Sequence, residues 1–125
     1  MRAPGRIAAS LAVVLALGST ATAQAPVPRV IDVLAERFEF RPSEIRVEAG
    51  APVQLRVSSD DTMHGFRIVG GGVSLLVPKR GRGPVTVSLP ALAPGRYTIE
   101  CNRMCGAGHA FMRATLVVRP AGASR

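Results

Sequence analysis

The sequence predicts an all-β domain, an antiparallel β-sandwich or Greek-key barrel. Apolar and polar residues alternate in short segments, and turn residues interrupt them at intervals of about ten residues. The 13 Gly and 10 Pro supply turns, while a 4% aromatic content without Trp leaves Val, Ile, Leu and Ala to form the core. Val and Ile pack well on a pleated sheet surface. At 125 residues, the chain has room for one domain.

The predicted strands are short, and no window has convincing helical periodicity. Val53–Val57 shows the clearest period-two alternation, and the strand that starts at Arg96 leads directly into Cys101. Turns are expected at Ala49–Gly50 and at the Gly70–Gly72 break. In chain order, the predicted strands are Val30–Leu34, Ile45–Val47, Val53–Val57, His64–Val69, Val85–Leu89, Arg96–Glu100 and Arg113–Val118.

The beginning of the chain has the pattern of an export signal. Arg2 and Arg6 form a positively charged n-region, Ile7–Leu17 is apolar, and Ala21–Ala23 fits a small-residue cleavage site. We therefore predict a signal peptide over 1–23, a domain over 24–125 and a periplasmic location. The apolar run is shorter than the roughly 20 residues that span a bilayer, so no stable membrane insertion is expected after cleavage.

The charge balance is basic. The formal net charge is +8, and loss of Arg2 and Arg6 with the signal would leave about +6. The arginines are scattered among the strands, and no basic run is interleaved with aromatic residues. We therefore expect no nucleic-acid partner and interpret the charge as that of a well-solvated surface.

Both cysteines lie in the twelve-residue segment Cys101–Met112, which also contains His109. Thiolate and thioether ligands select Cu(I), whereas imidazole suits Cu(II), so this mixture fits a copper site that changes oxidation state. The other histidine, His64, lies about 37 residues before Cys101 at the start of a predicted strand. A sandwich can bring it beside the strand that ends at Cys101.

Other interpretations of this segment are structural. Two cysteines in an exported protein usually form a disulfide, but so short a loop gains little stability from closure. The spacing also fits one face of a helix, although Gly106 and Gly108 favour a loop. We expect Met104 to fill a core gap. We expect Met112 to be a ligand because it lies three residues past His109.

The spacing Cys101-x3-Cys105-x3-His109-x2-Met112, preceded by Asp61–Phe66, resembles the CuA domain of cytochrome c oxidase subunit II. It is more loosely similar to the copper domain of nitrous oxide reductase. The resemblance covers nearly the whole expected mature chain and implies a cupredoxin fold with two copper ions. It implies that the thiolates of Cys101 and Cys105 bridge the ions and that the imidazoles of His64 and His109 cap one ion each. It also implies two axial ligands, the weakly bound thioether of Met112 and the main-chain carbonyl of Arg103.

The chain also departs from subunit II. Arg103 stands where subunit II carries a glutamate that serves a magnesium site, so we expect no such site here. The net positive charge and the lack of Trp argue against docking to a basic cytochrome c. We expect a redox donor and acceptor whose docking faces are acidic or neutral.

The expected function is periplasmic electron transfer, as a carrier or as a module of a cytochrome c oxidase-like terminal oxidase. No catalytic triad, carboxylate pair or phosphate-binding loop is present in the sequence. One alternative is a mononuclear blue-copper carrier that uses His64, Cys105, His109 and Met112. Another is a copper-delivery protein that binds Cu(I) through the same sulfurs. Because an oxidising compartment pairs free thiols, loading with copper would require a reductant.

Overall fold

The protein forms two β-sheets that face each other. The computed structural model describes Met1, Gly5 and residues 18–123, so most of the expected signal peptide lies outside the described residues. A short 3-10 turn, His109–Phe111, is the one helical element in this described part. The strands are β1 Arg29–Glu36, β2 Glu39–Arg41, β3 Glu44–Glu48, β4 Val53–Ser59, β5 His64–Ile68, β6 Val73–Val77, β7 Val85–Ser88, β8 Gly95–Glu100 and β9 Arg113–Arg119.

The first sheet has the strand order β2-β1-β4-β7, and the second has the order β3-β9-β8-β5-β6. The prediction of an all-β sandwich is confirmed. Its strand pairing is nevertheless mixed rather than purely antiparallel, because β1 pairs with β4 and β3 pairs with β9 in parallel. Alternation of apolar residues indicates which face of a strand is buried, but it does not indicate the direction of the neighbouring strand.

The core lies between the two sheets. Alternate residues of β4, namely Val53, Leu55 and Val57, are buried, as the period-two pattern predicts. Phe40 from the first sheet meets Phe66 from the second edge to face, with ring centroids 5.5 Å apart and an interplanar angle of 89°. This geometry is favourable for an aromatic pair and joins the two layers at the centre of the domain.

Besides the three-residue strand β2, the sequence prediction missed strand β6. It follows the Gly70–Gly72 turn and pairs with β5 in antiparallel register, with Val77 opposite His64. Val73 and Val77 are buried, while the residues between them are exposed or half-buried. The glycine turn followed by an apolar run is the signal that could have identified this hairpin.

Three neighbouring strands of the second sheet bring the candidate ligands to one end of the sandwich. Strand β8 lies between β9 and β5 and is antiparallel to both. The loop Cys101–Met112 therefore connects adjacent strands at the same end of the sheet at which β5 begins with His64. Within the described ranges, no helix is long and apolar enough to cross a membrane.

Candidate metal centre

The loop that connects β8 and β9 is closed at its base and folds over the end of the sheet. The main-chain N–H of Cys101 donates a hydrogen bond to the carbonyl of Met112 at 3.1 Å. The main-chain N–H of Gly65 donates to Cys101 Sγ at 3.4 Å, which ties the loop to β5. Only His109–Phe111, which follows Gly108, forms a 3-10 turn in this segment. The rest of the loop is irregular, as Gly106 and Gly108 predicted.

The two cysteine sulfurs face each other inside the loop. Cys101 Sγ lies 3.4 Å from Cys105 Sγ, well beyond the disulfide bond length of about 2.05 Å. Both side chains are buried, with relative exposures of 5% and 6%. The structure thus presents two adjacent thiols rather than a disulfide, shielded from water and close enough to share a ligand.

The two imidazoles approach this sulfur pair from different positions. His64 Nδ1 lies 4.0 Å from Cys101 Sγ, and His109 Nδ1 lies 3.6 Å from Cys105 Sγ. The ligand atoms of His64, Cys101 and Cys105 all lie within 4.8 Å of one another. His64 is fully buried, whereas His109 is partly exposed.

The two remaining candidate ligands also lie beside the sulfurs. Met112 is fully buried, and its Sδ is 3.8 Å from Cys105 Sγ. The carbonyl oxygen of Arg103 is 3.1 Å from Cys101 Sγ. Met104, by contrast, is 75% exposed. The prediction that Met104 fills a core gap is therefore wrong, because its position in the loop directs it outward.

Asp61 holds the imidazole of His64 in place. Its Oδ1 lies 2.7 Å from His64 Nε2 and accepts the main-chain N–H of Thr62 at 2.7 Å. Its Oδ2 accepts the main-chain N–H of Arg37 at 2.8 Å. Because the carboxylate engages Nε2, the Nδ1 lone pair of His64 is left for a ligand on the sulfur side.

The same contacts determine the charge of Asp61. Partial burial opposes its ionisation, but the hydrogen bonds from Arg37, His64 and Thr62 outweigh burial and lower its pKa from 3.8 to about 2. A group with a depressed folded-state pKa stabilises the fold above its unfolded pKa. That stabilisation is lost as the pH falls through the folded pKa.

We therefore expect Asp61→Asn to reduce the stability of the metal-free protein by about 1–2 kcal/mol at neutral pH. The difference from the wild type should narrow as the pH falls from about 4 toward about 2, because the Asp61 carboxylate of the unfolded wild type takes up a proton first and that of the folded protein only near its pKa of about 2. Urea unfolding of both reduced proteins between pH 7 and pH 3 measures this difference. A gap that stays constant over that range would contradict the assignment.

The Cys105 thiol lies in an environment that disfavours its ionisation in the absence of metal. Burial raises its pKa to about 11, the neighbouring Cys101 sulfur adds to the rise, and the Arg37 cation opposes it. A bound cation reverses this preference, because metal coordination deprotonates a thiol. The thiolate form of Cys105 is therefore favoured only when a cation is bound beside it.

The set of donors fits copper. Two thiols, a thioether and two imidazoles converge in a largely buried volume, with one main-chain carbonyl beside them. Soft sulfur ligands favour Cu(I), and imidazoles stabilise Cu(II) as well. The structure thus brings together all six groups that the sequence analysis singled out.

Sequence reasoning did not identify two residues that support these groups. Asp61 was part of the quoted pattern but had no role, although its position three residues before His64 is a usable signal for a hydrogen bond to the imidazole. Arg37 contacts both Asp61 and Cys105. It lies in a turn 68 residues before Cys105, and no local pattern marks it.

Comparison with protein families matches residues 7–118 to the cupredoxin-like domain. Cytochrome c oxidase subunit 2 of Thermus thermophilus is 39% identical over 88 residues, which are 70% of this chain and 63% of that relative. A second subunit 2 sequence from Thermus thermophilus is also 39% identical over 88 residues, which are 51% of its length. The chain therefore spans less than two thirds of these relatives.

Solved structures share the fold. The periplasmic domain of cytochrome oxidase subunit II from Bradyrhizobium japonicum has a TM-score of 0.66 at 18% identity, over 78% of this chain and 89% of that one. A chain of a haem-copper terminal oxidase dimer has a TM-score of 0.64 at 24% identity, over 73% and 65%. A mixed-disulfide complex of a thioredoxin-like protein with subunit II has a TM-score of 0.61 at 18% identity, over 79% and 88%.

Proposed function

Since the chain belongs to the family of cupredoxin-like domains and is homologous to cytochrome c oxidase subunit 2, we propose that it is a periplasmic electron-transfer protein with a two-copper centre of the CuA type. The homology implies copper, and the cluster of His64, Cys101 and Cys105 fits such a site. The number of ions, the full ligand set and the location form the finer part of the proposal.

The observation that carries the two-copper proposal is the sulfur pair. Cys101 Sγ and Cys105 Sγ lie 3.4 Å apart, and an imidazole nitrogen lies near each of them. A site for one copper needs one thiolate, and a second buried thiol next to it would have no role. Two thiolates that face each other can each bridge two ions.

We propose that each ligand type has a separate task. Cys101 and Cys105 would hold both ions through their thiolates, and His64 and His109 would each bind one ion through an imidazole nitrogen. The Met112 thioether, beside Cys105, and the Arg103 carbonyl, beside Cys101, would be the weaker ligands. Weak ligands of this kind adjust the reduction potential more than they hold the metal.

The protein's part in electron transfer is to keep the ligands still. When bound, the copper pair supplies a one-electron redox couple shared over two ions. The β8–β9 loop is fixed by its hydrogen bonds at Met112 and Gly65, and His64 is fixed by Asp61. Burial of both thiols excludes water that would otherwise reorganise with each change of charge. A rigid, dry set of ligands lowers the reorganisation that accompanies each electron.

The surface next to the site supports a partner with an acidic or neutral face. Arg103 lies near the start of the ligand loop and Arg113 just after its end, and among the described residues neither forms an ion pair. The β6–β7 loop, which contains Lys79, Arg80 and Arg82, lies next to Asp61, because the main-chain N–H of Arg80 donates to the Asp61 carbonyl. Met104 and Phe111, which are 75% and 84% exposed, supply apolar contact area between these charges. Complementary charge would steer the partner toward this end of the molecule.

Copper loading is the second interaction that we propose. Two thiols 3.4 Å apart are within reach of disulfide formation once the loop adjusts, and an oxidising compartment would drive that reaction. The structural neighbour captured as a mixed disulfide with a thioredoxin-like protein supports a reductant of that class as a partner before metal binding. Export by a signal peptide over residues 1–23 remains part of this proposal.

We expect the reduced protein to bind two copper ions per chain and to show an EPR spectrum in which one unpaired electron is shared between them. Copper analysis and EPR of protein isolated from the periplasm and reconstituted under reducing conditions test this. One ion per chain with a single-copper hyperfine pattern would instead indicate a blue-copper carrier. Colourless protein with rapidly exchanging Cu(I) would indicate copper delivery.

A further inference from the structure

The turn between β1 and β2 reaches both segments that carry the candidate ligands. Strand β1 ends at Glu36 and β2 begins at Glu39, so the turn consists of Arg37 and Phe38. Both strands belong to the first sheet, whereas the candidate ligands lie at the end of the second. The turn is therefore a contact from the opposite layer onto the metal centre.

Arg37 makes one hydrogen bond to each side of the centre. Its main-chain N–H donates to Asp61 Oδ2 at 2.8 Å, and Asp61 in turn holds His64. Its side-chain Nε–H donates to the carbonyl of Cys105 at 2.9 Å. Arg37 thus connects Asp61, which holds the His64 imidazole, to the main chain of Cys105.

The Phe38 ring packs the turn against the ligand loop. A Cβ atom at Gly106 would lie 2.9 Å from two atoms of the Phe38 ring, and a Cβ atom at Gly108 would collide with the same ring. The ring therefore rests on the bare backbone of the loop. Contact this close keeps Arg37 and the Cys105 carbonyl at a fixed separation.

The loop needs such external support because its own backbone is permissive. Gly106 has φ +140°, a conformation that residues with a side chain rarely adopt. Glycine restricts its neighbouring peptide groups less than other residues do. The orientation of the peptide that follows Cys105, and with it the direction of the Cys105 thiol, is therefore set by contacts with the rest of the protein.

We propose that Arg37 is a positioning residue of the metal centre, whose Nε–H fixes the Cys105 peptide while its main-chain N–H fixes Asp61 behind His64. The inference rests on the proposed copper function for its role in holding metal. Its structural part, fixing the loop, applies to the metal-free protein as well.

The side chain can be tested without disturbing the main-chain bond. Arg37→Met keeps the length of the chain but removes the donor and the charge. Arg37→Gln places an amide nitrogen the same number of bonds from the backbone as the arginine Nε, so it restores a donor without the cation. Arg56→Met is the matched control, because Arg56 is an exposed arginine paired with Asp32 in the first sheet.

Two measurements are made on each variant. The first is hydrogen exchange of the His109 amide in the reduced metal-free protein, since that N–H donates to the Gly106 carbonyl at 3.1 Å within the loop. The second is the rate at which loaded protein loses copper to a chelator. We expect Arg37→Met to accelerate both amide exchange and copper loss about fivefold to tenfold, because that is the typical effect of losing one hydrogen bond. Arg37→Gln should largely restore both rates, and Arg56→Met should match the wild type.

Wild-type rates in Arg37→Met would overturn the proposal. So would equal rates in Arg37→Gln and Arg37→Met, since charge rather than the hydrogen bond would then be responsible. If the wild type binds no copper pair while exchange at His109 still responds as expected, the copper function fails and the positioning of the loop by Arg37 is supported.

Discussion

Cys101→Ser and Cys105→Ser are each expected to eliminate the two-copper spectrum completely. In the proposed centre, each sulfur bridges both ions, so the loss of either sulfur removes a ligand from both. A serine oxygen is too hard to replace a thiolate on Cu(I). The nearly equal burial of the two thiols, at 5% and 6% exposure, gives no reason for one variant to be milder than the other.

A centre with one copper predicts a different result. If Cys105 were the sole thiolate ligand, Cys101→Ser would keep both colour and potential, whereas Cys105→Ser would lose both. EPR and absorption spectra of the two copper-loaded variants make the distinction. Met104→Ser is the matched control, because it removes an exposed sulfur from the same loop and should leave the spectrum unchanged. An unchanged spectrum in Cys101→Ser would reject the two-copper centre.

The fold was largely predictable because strand faces are encoded locally. The alternation in Val53–Val57 identifies the buried side of β4 without knowledge of its neighbours. The parallel pairings of β1 with β4 and β3 with β9 join segments that are far apart in the chain. Such pairings follow from the packing of the whole domain, and no short window of sequence contains them.

The candidate site shows the same division between local and distant information. The spacing from Cys101 to Met112 is local, so the sequence alone groups four of the side chains. The approach of His64 depends on β5 and β8 lying side by side, which a sandwich prediction makes reasonable. The contact of Arg37 with Cys105 depends on a turn in the other sheet, and only the structure reveals it.

Gly65→Ala is expected to have the second large effect, on the stability of the fold as well as on the metal centre. A Cβ atom at Gly65 would lie 2.9 Å from the main-chain nitrogens of both Asn102 and Arg103, and it would also collide with the Asn102 side chain. Side chains can rotate away from such a contact, but the two main-chain atoms belong to the ligand loop. Either the loop moves or β5 separates from it.

We expect Gly65→Ala to destabilise the metal-free protein by about 3 kcal/mol, at the upper end of the usual cost of overpacking. It should also weaken copper binding, because the Gly65 N–H that donates to Cys101 Sγ would be displaced with the loop. Urea unfolding gives the first quantity, and copper loss to a chelator gives the second. Asn102→Ala is the control, since it removes a single exposed hydrogen bond to Ser74 and should cost about 1 kcal/mol or less.

The double variant Gly65→Ala/Asn102→Ala separates the two sources of crowding at this position. Removing the Asn102 side chain relieves the contact with its oxygen but leaves both main-chain nitrogens 2.9 Å from the added methyl group. The double variant should therefore remain about as unstable as Gly65→Ala alone. Recovery of wild-type stability and copper retention in the double variant would show that the side chain, not the close approach of β5 to the ligand backbone, requires glycine at position 65.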